Sequence, residues 1–174
     1  MPSFTFTDPR SLHPLVAAGI TDHGLHVEVV HCDEHLADTA GFCAAYDFAM
    51  EDSANTIVVI GKAAEPVLVA CVVLATDRLD VNGVVRRRLG VKKASFAPQD
   101  VAAEHTRMTR GGVTAIGLPP SMSLWIDRAV MDRAQIVVGG GNRTSKVLLA
   151  PAELLKLPNA EVVQLSAASA ADLP

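Results

Sequence analysis

Two apolar runs lie almost back to back near the middle of the chain: "NTIVVIGK", Asn55 to Lys62, and "VLVACVVLA", Val67 to Ala75, joined by "AAEP". Both are rich in β-branched residues and end at turn-forming sequence. They therefore read as adjacent central strands of an antiparallel pair. The longer run is far too short to cross a bilayer as a helix. Everything else in the 174 residues has to be arranged around this pair.

The flanking segments alternate between strand and helix signals. "DPRSLHPLVAAGI" reads as a short helix with Asp8 as cap, Pro9 at its first position and Gly19 at its end. "GLHVEVVH" alternates apolar Leu25, Val27 and Val29 with His26 and Glu28, the period of a half-buried strand. "DEHLADTAGFCAAYDF" sets Leu36, Ala40, Cys43, Ala44 and Phe48 at helical spacing, as "TDRLDVNGVVRRRLG" does with Leu79, Val84, Val85 and Leu89. "APQDVAAEHTRM" is a further short helix, with Pro98 near its start and Asp100 and Glu104 in its N-terminal half. A Gly-rich loop leads to the strand "SLWID". A hairpin follows, "QIVV" and "KVLLA" around "GGGNRTS", then the short helix "PAELLKL" and the strand "AEVVQL". The expectation is an α/β (α+β-like) fold: one domain with a mixed, largely antiparallel central sheet flanked by helices. Residues 1–30 form an N-terminal helix and strand packed on the domain, 31–165 its body, and 166–174 a frayed tail.

Composition narrows the chemistry. The N-terminus has neither the basic start nor the apolar stretch of a secretory signal, and three cysteines give no disulfide framework, so the expected compartment is the cytoplasm, with no membrane partner. A formal charge of −4 argues against a sequence-independent nucleic-acid binder but leaves room for one local basic face. "RRRLGVKK", Arg86 to Lys93, is the candidate: a solvated helix end, or a contact to an RNA backbone. "HCDEH", His31 to His35, holds metal-ligating residue types. It falls where a strand ends and a helix is capped, and no second ligand pair completes it, so it reads as a polar connector and no metal site is expected. Cys43 and Cys71 sit on apolar faces and read as packing residues. No phosphate-cradling G-x-x-x-x-G-K-[ST] and no G-x-S-x-G elbow occurs.

Three features converge instead. Gly111 and Gly112 lead to Gly117 in the opening loop, Asp127 ends "SLWID", and Gly139, Gly140 and Gly141 lie at the hairpin turn. All three fall at predicted strand ends, where pockets are built. Glycines there either turn the chain or bring bare backbone N–H groups to a ligand.

In order along the chain, "ADTAGFCAAYDF", "NTIVVIGK", "VLVACVVLATD", "RLDVNGVVRRRLGVKKASFAPQDV", "TRGGVTAIGL" and "LWIDRAVMDRAQIVVGGGNRTSKVLLAPAELLKL" resemble the YbaK/prolyl-tRNA editing domain family of aminoacyl-tRNA deacylases, over roughly Asp33 to Val163. The last two segments are the most distinctive. A double glycine, a hydrophobic strand ending in Asp and a Gly-rich hairpin before "L-x-P-x-x-L" form a specific series. The resemblance implies hydrolysis of a small amino acid, such as Ala or Cys, wrongly attached to tRNA, with no metal or cofactor. Its implied partners are the aminoacylated tRNA 3′ end and, beyond it, an aminoacyl-tRNA synthetase. It also implies a site in which Asn55, Gly112 and Asp127 are catalytic and Thr56, Gly111, Val113, Thr114, Gly117, Gly139 and Gly140 bind substrate. Two positions depart from the family pattern. Asn55 stands where a lysine is usual, and Ala115 where a proline is usual. A pocket retained without hydrolysis, binding an aminoacyl or nucleotide-like ligand, is the alternative.

Overall fold

A computed structural model describes residues 9–167. The expected strand pair is its centre. β2 (Ala54–Lys62) and β3 (Val67–Leu74) run antiparallel with Asn55 opposite Val73 and Gly61 opposite Val67. β1 (Glu28–His31) belongs to a separate three-stranded sheet, described below. The larger sheet is completed by β4 (Lys93–Phe96), β5 (Ser123–Asp127) and β8 (Ala160–Val163), in the order β4-β2-β3-β5-β8. β5 runs parallel to both β3 and β8, so the sheet is mixed. The smaller sheet, β1-β7-β6, pairs β1 with the hairpin of β6 (Ile136–Gly139) and β7 (Ser145–Leu149). A bridge between Ser53 and Val137 joins the two sheets at the start of β2.

Alternation along the large sheet separates two cores. Ala54, Ala70, Val72, Leu74, Leu124 and Ile126 face one side, packed with α1 (Pro14–Asp22) and the small sheet. Val59, Val69, Cys71, Val73 and Trp125 face the other. That second face is covered by a π-helical turn (Val81–Val85) running into α3 (Arg86–Leu89). Asp80 caps the turn, accepting from the N–H groups of Gly83 (2.8 Å) and Val84 (3.2 Å). A third cluster under α2 (Thr39–Tyr46) stacks Phe42 between Tyr46 and Phe48. α4 (Gln99–Thr106) and α5 (Arg128–Met131) complete the helices.

Several local expectations are corrected. The expected first helix is split into a 3-10 turn at Pro9–Ser11 and α1, which starts at Pro14 with the His13 side chain accepting from Leu15 N–H; Asp8, the expected cap, lies outside the described residues. Gly19 does not end it. A Cβ there would stand 3.1 Å from Gly117 N, so this glycine lets the helix pack on the Gly-rich loop, and the chain turns left-handed only at Gly24 (φ 59°). The helix expected across "DEHLADTAGFCAAYDF" is broken in two, because Asp38 accepts from Gly41 N–H and starts α2 afresh. Part of the expected tail is tied down: Ser166 bridges to Leu79 and Ala167 N–H donates to Arg78 O.

Candidate functional site

β2 has a gap in its outer edge. β4 covers it only from Val59 to Lys62, where the register ends with Ala97 N–H donating to Val58 O (2.8 Å). At the other end, Ser53 is bridged to β6. Backbone groups in an antiparallel strand alternate sides, so Thr56, two residues before Val58, directs its N–H and C=O into this gap. A cavity of about 410 Å³ opens there, lined by Asn55 to Val58, by Ala37 to Thr39, by Gly111 to Val113 of the Gly-rich loop, and by Gly139, Asn142 and Lys146 of the hairpin. Phe96, Ala97, Gln99 and Ala102 form its remaining wall.

The loop approaches the hairpin closely because it carries no side chain. A Cβ at Gly112 would stand 2.7 Å from the backbone carbonyl of Asn142. Gly111 adopts φ 77° beneath the Arg143 guanidinium. Asn142 in turn fixes the hairpin turn: its Oδ1 accepts from Ser145 Oγ (2.7 Å) and Thr144 N–H (3.1 Å), and its Nδ2 donates to Ser11 O (2.8 Å). Asn55 is oriented by Thr39, whose hydroxyl donates to its Oδ1 (2.8 Å). The amide NH₂, with two donors, has no partner among the described residues. Thr56 Oγ1 is likewise buried without a partner.

Lys146 supplies a cation to this cavity. Its Nζ donates to Ala37 O (2.8 Å) and lies 5.4 Å from the Phe42 ring centre. Burial lowers its pKa below the ordinary 10.5, partly offset by Cys32, Cys43 and Asp38. Nothing in the sequence pointed to it, because it lies a strand away from the position where a lysine was expected. Asp38, Thr39, Gln99 and Asn142 are further lining residues that sequence reasoning missed. Asp38 carried the one available signal, as a helix cap.

Of the expected site residues, Asn55, Thr56, Gly111, Gly112, Val113 and Gly139 line the cavity together. Four do not. Thr114 is fully buried beside it, its hydroxyl without a partner among the described residues. Gly117 (φ 86°) packs against α1, where a Cβ would stand 2.5 Å from Leu15 O. Gly140 packs on Ser145 in the hairpin. Asp127, expected at the reacting centre, is fully buried away from it, its Oδ1 accepting from Leu165 N–H (2.7 Å) and Ser166 N–H (3.2 Å). Its place at the end of the strand made it look like a pocket residue. In fact it holds the chain after β8. Asp127→Ala would strand these buried donors, so we expect a loss of about 1–3 kcal/mol of stability, measured by urea unfolding. A variant as stable as the wild type would contradict this.

The remaining candidates are structural. Asp33 of "HCDEH" caps the turn Glu34–Leu36 by accepting from His35 N–H (2.9 Å). Cys43 and Cys71 are buried, and burial pushes the Cys71 thiol up to about 12, a poor nucleophile at neutral pH. A second hollow, of about 510 Å³ at the far end of β2 between Ile60 and Ser95, brings together none of the expected residues.

The family model for the aminoacyl-tRNA editing domain matches residues 33–157, most of the chain. The chain belongs to the aminoacyl-tRNA editing domain family. Solved structures give the same fold. A candidate trans-editing enzyme for prolyl tRNA synthetase superposes with a TM-score of 0.77 at 22% identity, covering 90% of this chain and 99% of the other. The hypothetical protein APE2540 superposes with a TM-score of 0.79 at 24% identity, covering 88% and 99%. The editing-domain match spans every cavity-lining segment, from Ala37 to Lys146.

Proposed function

We propose that this editing domain hydrolyses the ester of a small amino acid wrongly attached to tRNA, acting in the cytoplasm as a deacylase. The supporting observation is the convergence of five separate chain segments on one small cavity whose walls combine neutral donors, bare loop backbone and a half-buried lysine. In this reading the aminoacyl ester enters between Asn55 and the Gly111–Val113 loop. A water oxygen bonds to the ester carbonyl carbon, and the negative charge that develops on the carbonyl oxygen is met by the Asn55 NH₂ and the Lys146 ammonium. The bond to the ribose oxygen then breaks, and that oxygen takes up the proton lost by the attacking water. The products are the free amino acid and uncharged tRNA. Preorganised donors in a partly dry cavity supply such stabilisation without a strong nucleophile, because the ester is already activated. The Asp38 carboxylate, on the cavity wall, suits the amino acid's ammonium group.

A cavity of about 410 Å³ sits at the small end of ligand sites. It has to hold part of the terminal ribose as well, so little room is left for a side chain. Hydrolysis should therefore fall with the size of the amino acid: Ala and Cys esters react, and Leu and Phe esters on the same tRNA react at least about 100-fold more slowly, as size sieving by an editing pocket requires. Equal rates across such a panel would contradict the assignment of this cavity as the amino-acid pocket.

A further inference from the structure

The cavity has an aromatic rim. Phe96 lines its mouth and is 58% exposed, more than any other large apolar side chain among the described residues. Its position follows from register. Phe96 pairs with Val59, and Ile57 and Asn55 precede Val59 at two-residue steps, so all four project from one face of the sheet. Four residues of strand place Asn55 roughly 14 Å from Val59. A nucleoside lying along that edge could present its ester beside Asn55 and its base beside Phe96. The same face carries α3, with Arg87 exposed and Arg88 over Trp125, and the chain returns towards Phe96 past exposed Lys92, while Lys93, three residues before Phe96, projects from the opposite face. In a protein of net charge −4 this is a local basic surface running up to an exposed ring.

We propose that Phe96 is a stacking platform for a base at the 3′ end of a single-stranded RNA, whose backbone follows the basic surface of Arg87 and Lys92. This rests on the deacylase reading for the identity of the group in the cavity, but not for RNA binding itself. An exposed aromatic beside a cationic track is the arrangement by which single strands are held without base-edge readout. It also accounts for the exposure of Phe96, which shields no core.

The test uses an uncharged single-stranded RNA ending in adenosine. In a Phe96→Trp variant, the new indole should be quenched on titration with this RNA, while the wild type, whose lone Trp125 is buried, should show no comparable change. Phe96→Ala and Phe96→Leu should both bind about 10-fold more weakly, the loss of one stacked base. Arg87→Glu with Lys92→Glu should weaken binding and flatten its salt dependence. If hydrolysis of aminoacyl-tRNA is found and neither Phe96 variant alters RNA affinity or KM, the platform is refuted while the deacylase reading stands. If no hydrolysis is found but RNA binding depends on the ring, the deacylase reading fails and the platform stands. Should Phe96→Leu bind like the wild type, apolar packing rather than stacking is at work, and the proposal is overturned. Dissociation of a dimer by Phe96→Ala with RNA affinity unchanged would make this a self-contact and overturn it equally.

Discussion

Lys146→Met should lower single-turnover deacylation by about 100-fold, the loss expected when one donor to a developing oxyanion is removed. The side chain is close in length and fits the same channel beside Phe42, so the far-UV spectrum should be unchanged. Lys146→Arg keeps the charge and should recover part of the rate. A second readout separates chemistry from packing. Burial lowers the pKa of Lys146 in the folded protein, so between that value and 10.5 the unfolded chain binds its proton more tightly. Stability therefore gains a contribution that rises with pH through this alkaline window. Lys146→Met removes that rise, and the difference between the two unfolding curves against pH reports it. An unchanged deacylation rate in folded Lys146→Met would take this residue out of the chemistry.

Gly112→Val should abolish deacylation and cost about 1–3 kcal/mol of stability, the usual penalty for forcing extra atoms into a packed site. The cause is a backbone clash. The first added atom already meets the Asn142 backbone at 2.7 Å, so the loop and the hairpin must part. Gly139→Ala is the control. Its Cβ would meet Gly112 O at 3.4 Å and Thr114 Cβ at 3.5 Å, ordinary contacts, so that variant should fold with near-wild-type stability. A Gly112→Val protein with full activity would mean that the loop only turns the chain.

The strand pair, the hairpin and the glycine loop were legible because their signals are local: β-branched runs, and glycines where backbone meets backbone. β4 was not. "KASF" lacks strand-forming residues apart from its phenylalanine and follows a basic run, and it is extended only because the edge of β2 offers it partners. Local pattern misled at Asp127, since a buried cap on the chain after β8 and a catalytic carboxylate look alike in sequence. Lys146 was invisible for a topological reason. The small sheet brings β7 against the 34–39 connector, and no spacing along the chain encodes that contact. Asn55 was found by alignment with a family pattern, but its role as a neutral donor depends on Thr39, sixteen residues earlier.

The most direct measurement is the release of amino acid from alanyl- and cysteinyl-tRNA by purified protein in single turnover, set against the same tRNA carrying its correct amino acid and against Lys146→Met. Rapid release of the small mischarged amino acid, slowed about 100-fold in the variant, with the correct ester spared, is the expected result. Tight binding of these tRNAs with no release above the uncatalysed rate would contradict it, and would leave a pocket that holds the aminoacyl end without cleaving it.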